Sequence, residues 1–268
     1  MTTMAARRKQ AGLREGLSEL SLAEKAYHLV LDQILRGSLS VGSSVSRRKL
    51  AKQFGMSLVP VAEALQRLEL EGLVESRPRA GTRVRVPTAE EVRERFELRE
   101  ALECQSARLC AERVTFQEVL QFKRLAEYVD TLFATGATKG LDKDLLFAVQ
   151  KYHIDLHMKI AECARSESLR SAIEKSHILT FNWLYDTTSG RQSLPANFHQ
   201  ELVARIVEGS PQEAEDAMRA HVRYGLKDVE RAIGQLETKS WRVKGPRKTK
   251  VGKSEGVLAR TAGRSSSR

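Results

Sequence analysis

The stretch from Lys49 to Val74, KLAKQFGMSLVPVAEALQRLELEGLV, restricts the fold of this chain more than any other part of the sequence. Two short amphipathic helical patterns meet at Gly55, where glycine permits a tight turn with positive φ. Ser57 follows the turn and is a natural N-cap for the second helix. The apolar residues that can pack these helices into a core are Leu50, Ala51, Phe54, Val61, Leu65, Leu68 and Leu70. The pattern predicts a helix-turn-helix whose second helix projects its first turns outward.

The segments on either side of this stretch complete a larger unit. A helical pattern over residues 21–36 precedes it, and two strand patterns, GLVESR (72–77) and TRVRV (82–86), follow it as a hairpin. Three helices and a hairpin in this order are typical of the winged helix-turn-helix, which places a helix in the major groove of DNA. We therefore predict a winged helix-turn-helix over residues 21–86, with Pro87 in a linker.

The remainder of the chain has helical patterns with clear starts. Four capping boxes, in which a hydroxyl and an acid three residues later satisfy the first N–H groups of a helix, begin at Ser21, Thr88, Thr115 and Ser210. Six amphipathic helices are expected at 89–113, 116–135, 141–164, 167–187, 195–208 and 211–237. The predicted fold class is mainly α, with an antiparallel bundle of six to seven helices over residues 87–238.

The net charge of +11 is unevenly distributed along the chain. Residues 21–86 carry eleven Lys or Arg against six acids, and residues 241–268 carry nine against one. The basic N-terminal third favours a nucleic-acid partner. Residues 1–20 are interpreted as a basic N-terminal extension, and residues 239–268 as a basic disordered tail.

Several functional classes are excluded by composition. No apolar run approaches the roughly 18 residues of a membrane span, and the N-terminus lacks the apolar segment of a secretory signal. The three cysteines, Cys104, Cys110 and Cys163, lack metal-type pair spacing, and an odd number suits a reducing compartment. A cytoplasmic protein without a membrane partner is expected.

The helix-turn-helix stretch resembles the GntR family of bacterial transcription regulators. The matching residues are Leu50-Ala51, Gly55-Met56-Ser57, Pro60-Val61, Glu63-Ala64-Leu65, Leu68 and Gly72-Leu73-Val74, with Gly81 in the wing. The resemblance implies a homodimer that binds a double-stranded, roughly palindromic DNA operator, with repression as the family expectation. Arg48 matches an arginine that contacts DNA in the family, but Leu58 and Ala62 replace two other such arginines.

These replacements leave two interpretations of the winged helix. In the first, the protein reads a different operator: Leu58, Val59 and Ala62 contact thymine methyl groups while basic residues hold phosphates. The DNA-binding residues would be Arg47, Arg48, Lys49, Lys52, Ser57, Leu58, Val59, Ala62, Arg77, Arg79 and Gly81. In the second, the domain no longer reads DNA sequence and serves as an interaction module. The retained basic segments SRRKLAK and RPRAG favour the first interpretation.

Four histidines in the bundle suggest a metal site. His153 and His157, four residues apart, share one helix face, as two ligands of one metal must. The segment FELREALECQSARLCAER (96–113) resembles the first helix of the FCD ligand-binding domain, found in the FadR-like branch of the family. In that domain an acid, a histidine four residues later and two further histidines chelate one metal. His157, His199 and His221 match these histidines, whereas His153 stands in the position of the acid.

An all-histidine set favours zinc or nickel as the divalent transition metal. The alternative is that each histidine is an ordinary core or surface residue, which is also the interpretation for His28 and His177. Arg99 resembles an arginine that contacts the effector in FCD domains, and a guanidinium suits the carboxylate of a small metabolite. An ion pair with Glu103, four residues further on, is the alternative role for Arg99.

For the whole protein, two alternatives to a DNA-binding regulator stay open at this point. One is a metalloenzyme that uses the histidine cluster to activate water. The other is a winged-helix interaction protein that no longer reads DNA sequence. No separate catalytic base or nucleophile has a persuasive spacing, so no catalytic residue is assigned and a non-enzymatic regulator is preferred.

Overall fold

The N-terminal part of the protein consists of three helices and three short strands. The structure of the protein is a computed structural model, which describes residues 20–139, 142–185 and 194–236. The helices are α1 (Leu22–Leu35), α2 (Arg47–Phe54) and α3 (Leu58–Leu70), and the strands are β1 (Ser44–Val45), β2 (Val74–Arg77) and β3 (Gly81–Val84). Gly55, between α2 and α3, has a φ of 66° and so makes the expected left-handed turn.

The three strands form a small antiparallel sheet in the order β1, β3, β2. The β2–β3 hairpin pairs Val74 with Val84 and Arg77 with Gly81, as its strand patterns predicted. Strand β1 was not predicted, because a strand of two residues has no alternating pattern to detect. With the helices, this sheet confirms the predicted winged helix-turn-helix.

The core of the winged helix contains the predicted apolar residues with one exception. Val61, Leu65 and Leu68 are buried on the inner face of α3, but Leu70 is 90% exposed. Two residues correspond to about 200° around a helix, so a side chain at position 70 points away from the face that position 68 buries. The expectation that Leu70 packs into this core is wrong.

Six helices follow in the described part of the chain. They are α4 (Ala89–Arg113), α5 (Phe116–Lys139), α6 (Lys143–Cys163), α7 (Glu167–Tyr185), α8 (Phe198–Glu208) and α9 (Pro211–Leu236). The capping boxes at Ser21, Thr88, Thr115 and Ser210 all form their reciprocal hydrogen bonds. The helical bundle is therefore confirmed, with α5 longer and α8 starting later than the sequence predicted.

The bundle has its own apolar core, and α6 also contacts the winged helix. Leu146, near the start of α6, is buried in a cluster with Leu35, Phe147 and Ile154. The guanidinium of Arg36, which follows α1, lies 4.1 Å from the centroid of the Phe147 ring. The helix that carries His153 and His157 is thus packed directly against the end of α1.

Some sequence predictions fall outside the described residues. They are the N-terminal extension before residue 20, most of the loop predicted at 187–195, and the basic tail at 239–268. Among the described helices, none is long and apolar enough to cross a membrane.

Candidate functional site

The outward-facing residues at the start of α3 are apolar. Leu58 is 50% exposed and Val59 is 65% exposed, whereas Ala62 is half-buried one turn later. Ser57 is the N-cap residue, but its side chain makes no capping hydrogen bond. The first turns of α3 therefore present two aliphatic side chains and a hydroxyl to the surroundings, a set suited to thymine methyl groups and phosphates.

Basic residues surround this apolar surface. Arg47, Arg48 and Lys49 are exposed in the first turn of α2, which holds no acidic residue, and Lys52 is exposed one turn further on. Three cations at a helix N-terminus oppose the helix dipole, and a bound phosphate would remove this conflict. The arrangement is therefore costly for the protein alone and favourable in contact with a polyanion.

The wing carries the other predicted DNA-binding residues. Arg77, Arg79 and Gly81 are exposed at the β2–β3 turn, where the N–H of Ala80 donates to the carbonyl of Arg77 at 3.1 Å. Arg79 has a φ of 64°, a left-handed conformation that is unfavourable for arginine. This conformation holds the side chain at the tip of the hairpin, where a wing contacts the DNA backbone or minor groove.

Three of the four predicted metal ligands meet inside the bundle. The Nε2 atoms of His153 and His157 on α6 are 3.0 Å apart, and each lies 3.1 Å from Nε2 of His221 on α9. Burial lowers the pKa of His153 and of His221 well below its usual value, so both rings are neutral near pH 7. Three imidazole nitrogens from two helices thus converge on one point.

The Nε2 atoms of His153, His157 and His221 form a triangle that hydrogen bonding alone does not explain. A neutral Nε2 atom either carries a proton or presents a lone pair, so three adjacent Nε2 atoms cannot all be satisfied by one another. A cation in contact with all three nitrogens removes the conflict, because each lone pair is then directed at the same ion. The side chains present therefore fit a divalent transition metal.

His199, the fourth predicted ligand, lies beside the triangle. Its ring centroid is 4.9 Å from that of His153 and 5.3 Å from that of His221. Its Nδ1 lies 2.6 Å from Oδ1 of Asp130, which also accepts the backbone N–H of His199 at 3.0 Å. Its Nε2 is buried without a hydrogen-bond partner. Asp130 thus fixes the tautomer that leaves Nε2 of His199 free to donate a lone pair.

A buried carboxylate stands behind the triangle. Oε2 of Glu103 is in close contact with Nδ1 of His157, and Oε1 lies 2.7 Å from Nε of Arg99 and 3.2 Å from Nε2 of His177. Burial opposes the charged form of Glu103, but Arg99, His177 and His157 together hold its pKa well below its usual value. Burial lowers the pKa of His177 to about 4. His177 is therefore a core residue, which is one of the two sequence interpretations, and it contacts the carboxylate behind the three histidines.

A cavity of about 60 Å³ lies next to the histidines. This volume accommodates on the order of five water-sized groups, which is the size of a small metabolite. Arg99 lines it, so this residue both forms the ion pair with Glu103 and faces the cavity that an effector would enter. The other lining residues are Phe96, Phe133, Gln150, His153, Leu194, Phe198, His199, His221, Val222, Tyr224 and Gly225.

Aromatic side chains set the orientation of two of the imidazoles. The ring of Phe198 stacks on His221 with centroids 4.9 Å apart, and the ring of Phe133 stacks on His199 at 5.2 Å. Sequence reasoning missed these residues together with Asp130 and the contacts of Glu103 with His157 and His177. All of them act across helices, and only the aromatic residue directly before His199 was a signal in the sequence itself.

Comparison with known proteins gives consistent matches along the chain. Residues 22–84 match the gntR family of bacterial regulatory proteins, and residues 94–224 match the FCD domain. An uncharacterized HTH-type transcriptional regulator in an unstable DNA locus of Streptomyces ambofaciens is 32% identical over 212 residues, which are 76% of this chain and 84% of that protein.

Other similar proteins agree with these matches. The "Probable D-xylose utilization operon transcriptional repressor" of Paenarthrobacter nicotinovorans is 28% identical over 212 residues, which are 77% of this chain and 88% of that protein. The solved structure of E. coli McbR/YncC has a TM-score of 0.65 at 19% identity, covering 79% of this chain and 98% of that chain. It has the same fold.

Proposed function

Because this chain belongs to the GntR family of bacterial transcription regulators and carries an FCD domain, it is a transcription regulator, and we propose that it is a ligand-controlled repressor. Residues 21–86 would bind the operator, and residues 87–238 would bind the ligand and form the dimer. The Paenarthrobacter relative is named as a probable repressor, which supports this direction of control. The family and the relatives are regulators, which confirms the expectation that the chain is not an enzyme.

In the proposed DNA interface, apolar side chains contact the bases and basic side chains contact phosphates or the minor groove. Leu58 and Val59 would contact thymine methyl groups in the major groove, with Ala62 behind them. Arg47, Arg48, Lys49, Lys52, Arg77 and Arg79 would contact phosphates or the minor groove. The exposure of the two aliphatic residues at the start of α3 supports this assignment, because water is otherwise a poor environment for them.

Selection of binding sites from random DNA duplexes at moderate salt tests this interface. We expect an enriched, roughly palindromic motif with thymine at the positions facing α3. The variant Arg48→Ala should weaken binding to all sequences alike and lower the slope of log affinity against log salt by about 1. Recovery of no motif, with only salt-dependent binding, would instead support the winged-helix interaction protein.

The proposed ligand site uses a metal as a fixed positive centre. His153, His157 and His221 would hold zinc or nickel, with His199 able to add a fourth nitrogen. The metal would supply a cationic contact for a carboxylate, and Arg99 would provide a second contact in the cavity. The convergence of three Nε2 atoms within 3.1 Å, next to a cavity lined by Arg99, is the observation that carries this proposal.

Metal analysis of the purified protein tests the metal part. We expect about one zinc or nickel ion per chain, loss of the ion in His157→Ala, and a lower melting temperature after treatment with a chelator. His28→Ala is a matched control, since His28 is exposed on α1 and should not change the metal content. Absence of metal together with unchanged melting in chelator would exclude the site.

A thermal-shift screen tests the effector part. Small carboxylates should raise the melting temperature of the metal-loaded protein, while the corresponding neutral amides should not. Arg99→Lys should reduce the shift, because lysine cannot form the two parallel hydrogen bonds of a guanidinium. Equal shifts with the amides would argue against a carboxylate ligand.

A homodimer completes the proposal. Phe116 is 78% exposed and lies one turn from Leu120, so α5 presents an apolar surface that a second subunit could cover. Sedimentation equilibrium should give twice the chain mass of 30.1 kDa. A mass of one chain at micromolar concentration would contradict the dimer.

A further inference from the structure

Glu103 occupies a central position between the parts of the ligand site. Its side chain is 3% exposed, and its two oxygens contact residues of its own helix α4, of α6 and of α7. Arg99 on its own helix, His157 on α6 and His177 on α7 are all in contact with this one carboxylate. In the described part of the chain, no other carboxylate contacts both Arg99 and a nitrogen of His153, His157 or His221.

The contact with His157 determines which nitrogen of that ring can bind a metal. A carboxylate accepts a hydrogen bond, so Nδ1 of His157 carries the proton and Nε2 presents its lone pair to His153 and His221. The same contact holds the plane of the imidazole and increases its basicity. Without it, either nitrogen of His157 could carry the proton.

The contact with Arg99 orients the effector side of the site. Nε of Arg99 donates to Oε1 of Glu103 at 2.7 Å, and the guanidinium carbon lies 4.8 Å from the centroid of the Phe96 ring. One edge and one face of the guanidinium are thus held in place. The carboxylate therefore links the orientation of Arg99 to the orientation of His157.

On the basis of the proposed metal site, we propose that Glu103 is a positioning residue that makes metal affinity depend on the state of Arg99. It does not bind the metal or the effector. It holds His157 in its ligand orientation through one oxygen and shares the other oxygen between Arg99 and His177. A ligand that binds the guanidinium of Arg99 changes the hydrogen bond between Arg99 and Glu103. This in turn changes the contact of Glu103 with His157 and the affinity of the site for metal.

A second metal ion among Glu103, His157 and His177 is a different explanation of the same contacts. These three side chains place their ligand atoms within 4.8 Å of one another. However, the guanidinium of Arg99 already neutralises the carboxylate, and a cation at this position would be adjacent to it. The negative charge of Glu103 accounts for the approach of both histidine nitrogens to its oxygens without an added cation.

Metal affinity measured by competition with a chromogenic chelator tests the proposal. Glu103→Gln should weaken the binding of Zn²⁺ by about 10–100-fold, the usual effect of losing such a partner of a ligand histidine. It should also change the visible spectrum of the Co²⁺-loaded protein, since Co²⁺ reports the orientation of its ligands. In a His157→Ala background the same substitution should have no further effect on affinity, because its route to the metal has been removed.

Glu100→Gln is the matched control. Glu100 lies on the same helix and accepts hydrogen bonds from Arg219 and Arg223, away from the histidines. It undergoes the same chemical change and should leave both Zn²⁺ affinity and the Co²⁺ spectrum as in the wild type. If Glu103→Gln does not fold, as judged by circular dichroism, Arg99→Lys replaces it and should also weaken Zn²⁺ binding and alter the Co²⁺ spectrum.

The outcomes separate this inference from the function on which it rests. If the wild-type protein binds neither Zn²⁺ nor Co²⁺, the metal site itself is wrong. If it binds both ions but Glu103→Gln behaves like Glu100→Gln, the metal site stands and the role of Glu103 is overturned. An equal loss of affinity in the wild-type and His157→Ala backgrounds would also overturn it, because Glu103 would then act on the fold and not through His157.

Discussion

At the level of single residues, the proposed DNA interface makes the start of α3 the determinant of operator sequence. Leu58 and Ala62 stand where similar proteins have arginines, and an arginine can form two hydrogen bonds with O6 and N7 of guanine. The double substitution Leu58→Arg and Ala62→Arg should therefore move the selected operator toward sites that contain guanine. Each new bidentate contact would favour its guanine by about 1–3 kcal/mol.

The same site selection, performed in parallel on the wild type and the double variant, measures this change. Gln66→Arg is a suitable control, because it adds an arginine at an exposed position further along α3. An unchanged motif in the double variant would mean that these side chains do not lie in the groove.

A second residue-scale prediction concerns the metal preference. The resemblance to the FCD domain places His153 where an acid is expected, and carboxylate oxygens favour harder ions than imidazole does. His153→Asp should raise the affinity for Mn²⁺ relative to Zn²⁺, as measured by chelator competition. His28→Asp, on the exposed face of α1, should leave this ratio unchanged. A fall in affinity for both ions by the same factor would show that position 153 contributes no selectivity.

At the scale of elements, the ends of the helices are defined by local chemistry. Gly55 is the clearest case, since it has a φ of 66° and no atom within 4 Å of the position that a Cβ would occupy. Gly55→Ala should cost about 1–2 kcal/mol of unfolding free energy, because only the backbone conformation and not packing opposes the new methyl group.

Gly225 provides the contrast within α9. A Cβ at this position would lie 3.5 Å from Cε1 of Phe96, which is ordinary van der Waals contact. Gly225→Ala should therefore stabilise the protein by about 0.5–1 kcal/mol, since alanine favours a helix interior. Denaturant unfolding of both variants measures the two effects, and a loss of stability in Gly225→Ala would indicate that α9 has no room for a methyl group.

At the level of the whole molecule, α6 connects the proposed ligand site to the winged helix. It carries His153 and His157 in its second half, and near its start it carries Phe147, which lies under the guanidinium of Arg36. We expect a ligand that shifts α6 to change the position of the winged helix through this contact, within the limit of its differential affinity for the two arrangements.

The variant Phe147→Ala tests this connection. It should bring the operator affinities of the metal-loaded and metal-free protein closer together, while leaving the Zn²⁺ affinity of the DNA-free protein unchanged. Fluorescence anisotropy with a labelled operator measures the ratio of the two affinities. Leu22→Ala, which removes an exposed apolar side chain from α1, is the control for the loss of a large apolar side chain. A ratio that stays at the wild-type value would show that the signal takes another route.

Features that depend on neighbours along the chain could be predicted from the sequence. The helix starts at Thr88 and Ser210, the turn at Gly55 and the shared face of His153 and His157 all follow from spacings of a few residues. Such spacings are set by the geometry of the helix and of its ends, which is the same in every protein. The winged helix and the helical bundle were predictable for this reason.

The contacts between helices that are distant in the chain became known from the fold alone. The fold paired β1 with β3, placed Asp130 against His199, and brought Glu103 from α4 to His157 on α6. It also turned His221 so that its Nε2 meets the other two nitrogens. These contacts depend on how the helices pack and rotate against one another, which no periodicity along the chain records. A sequence therefore indicates which residue types the site contains, whereas the packing of the bundle determines which of their atoms meet.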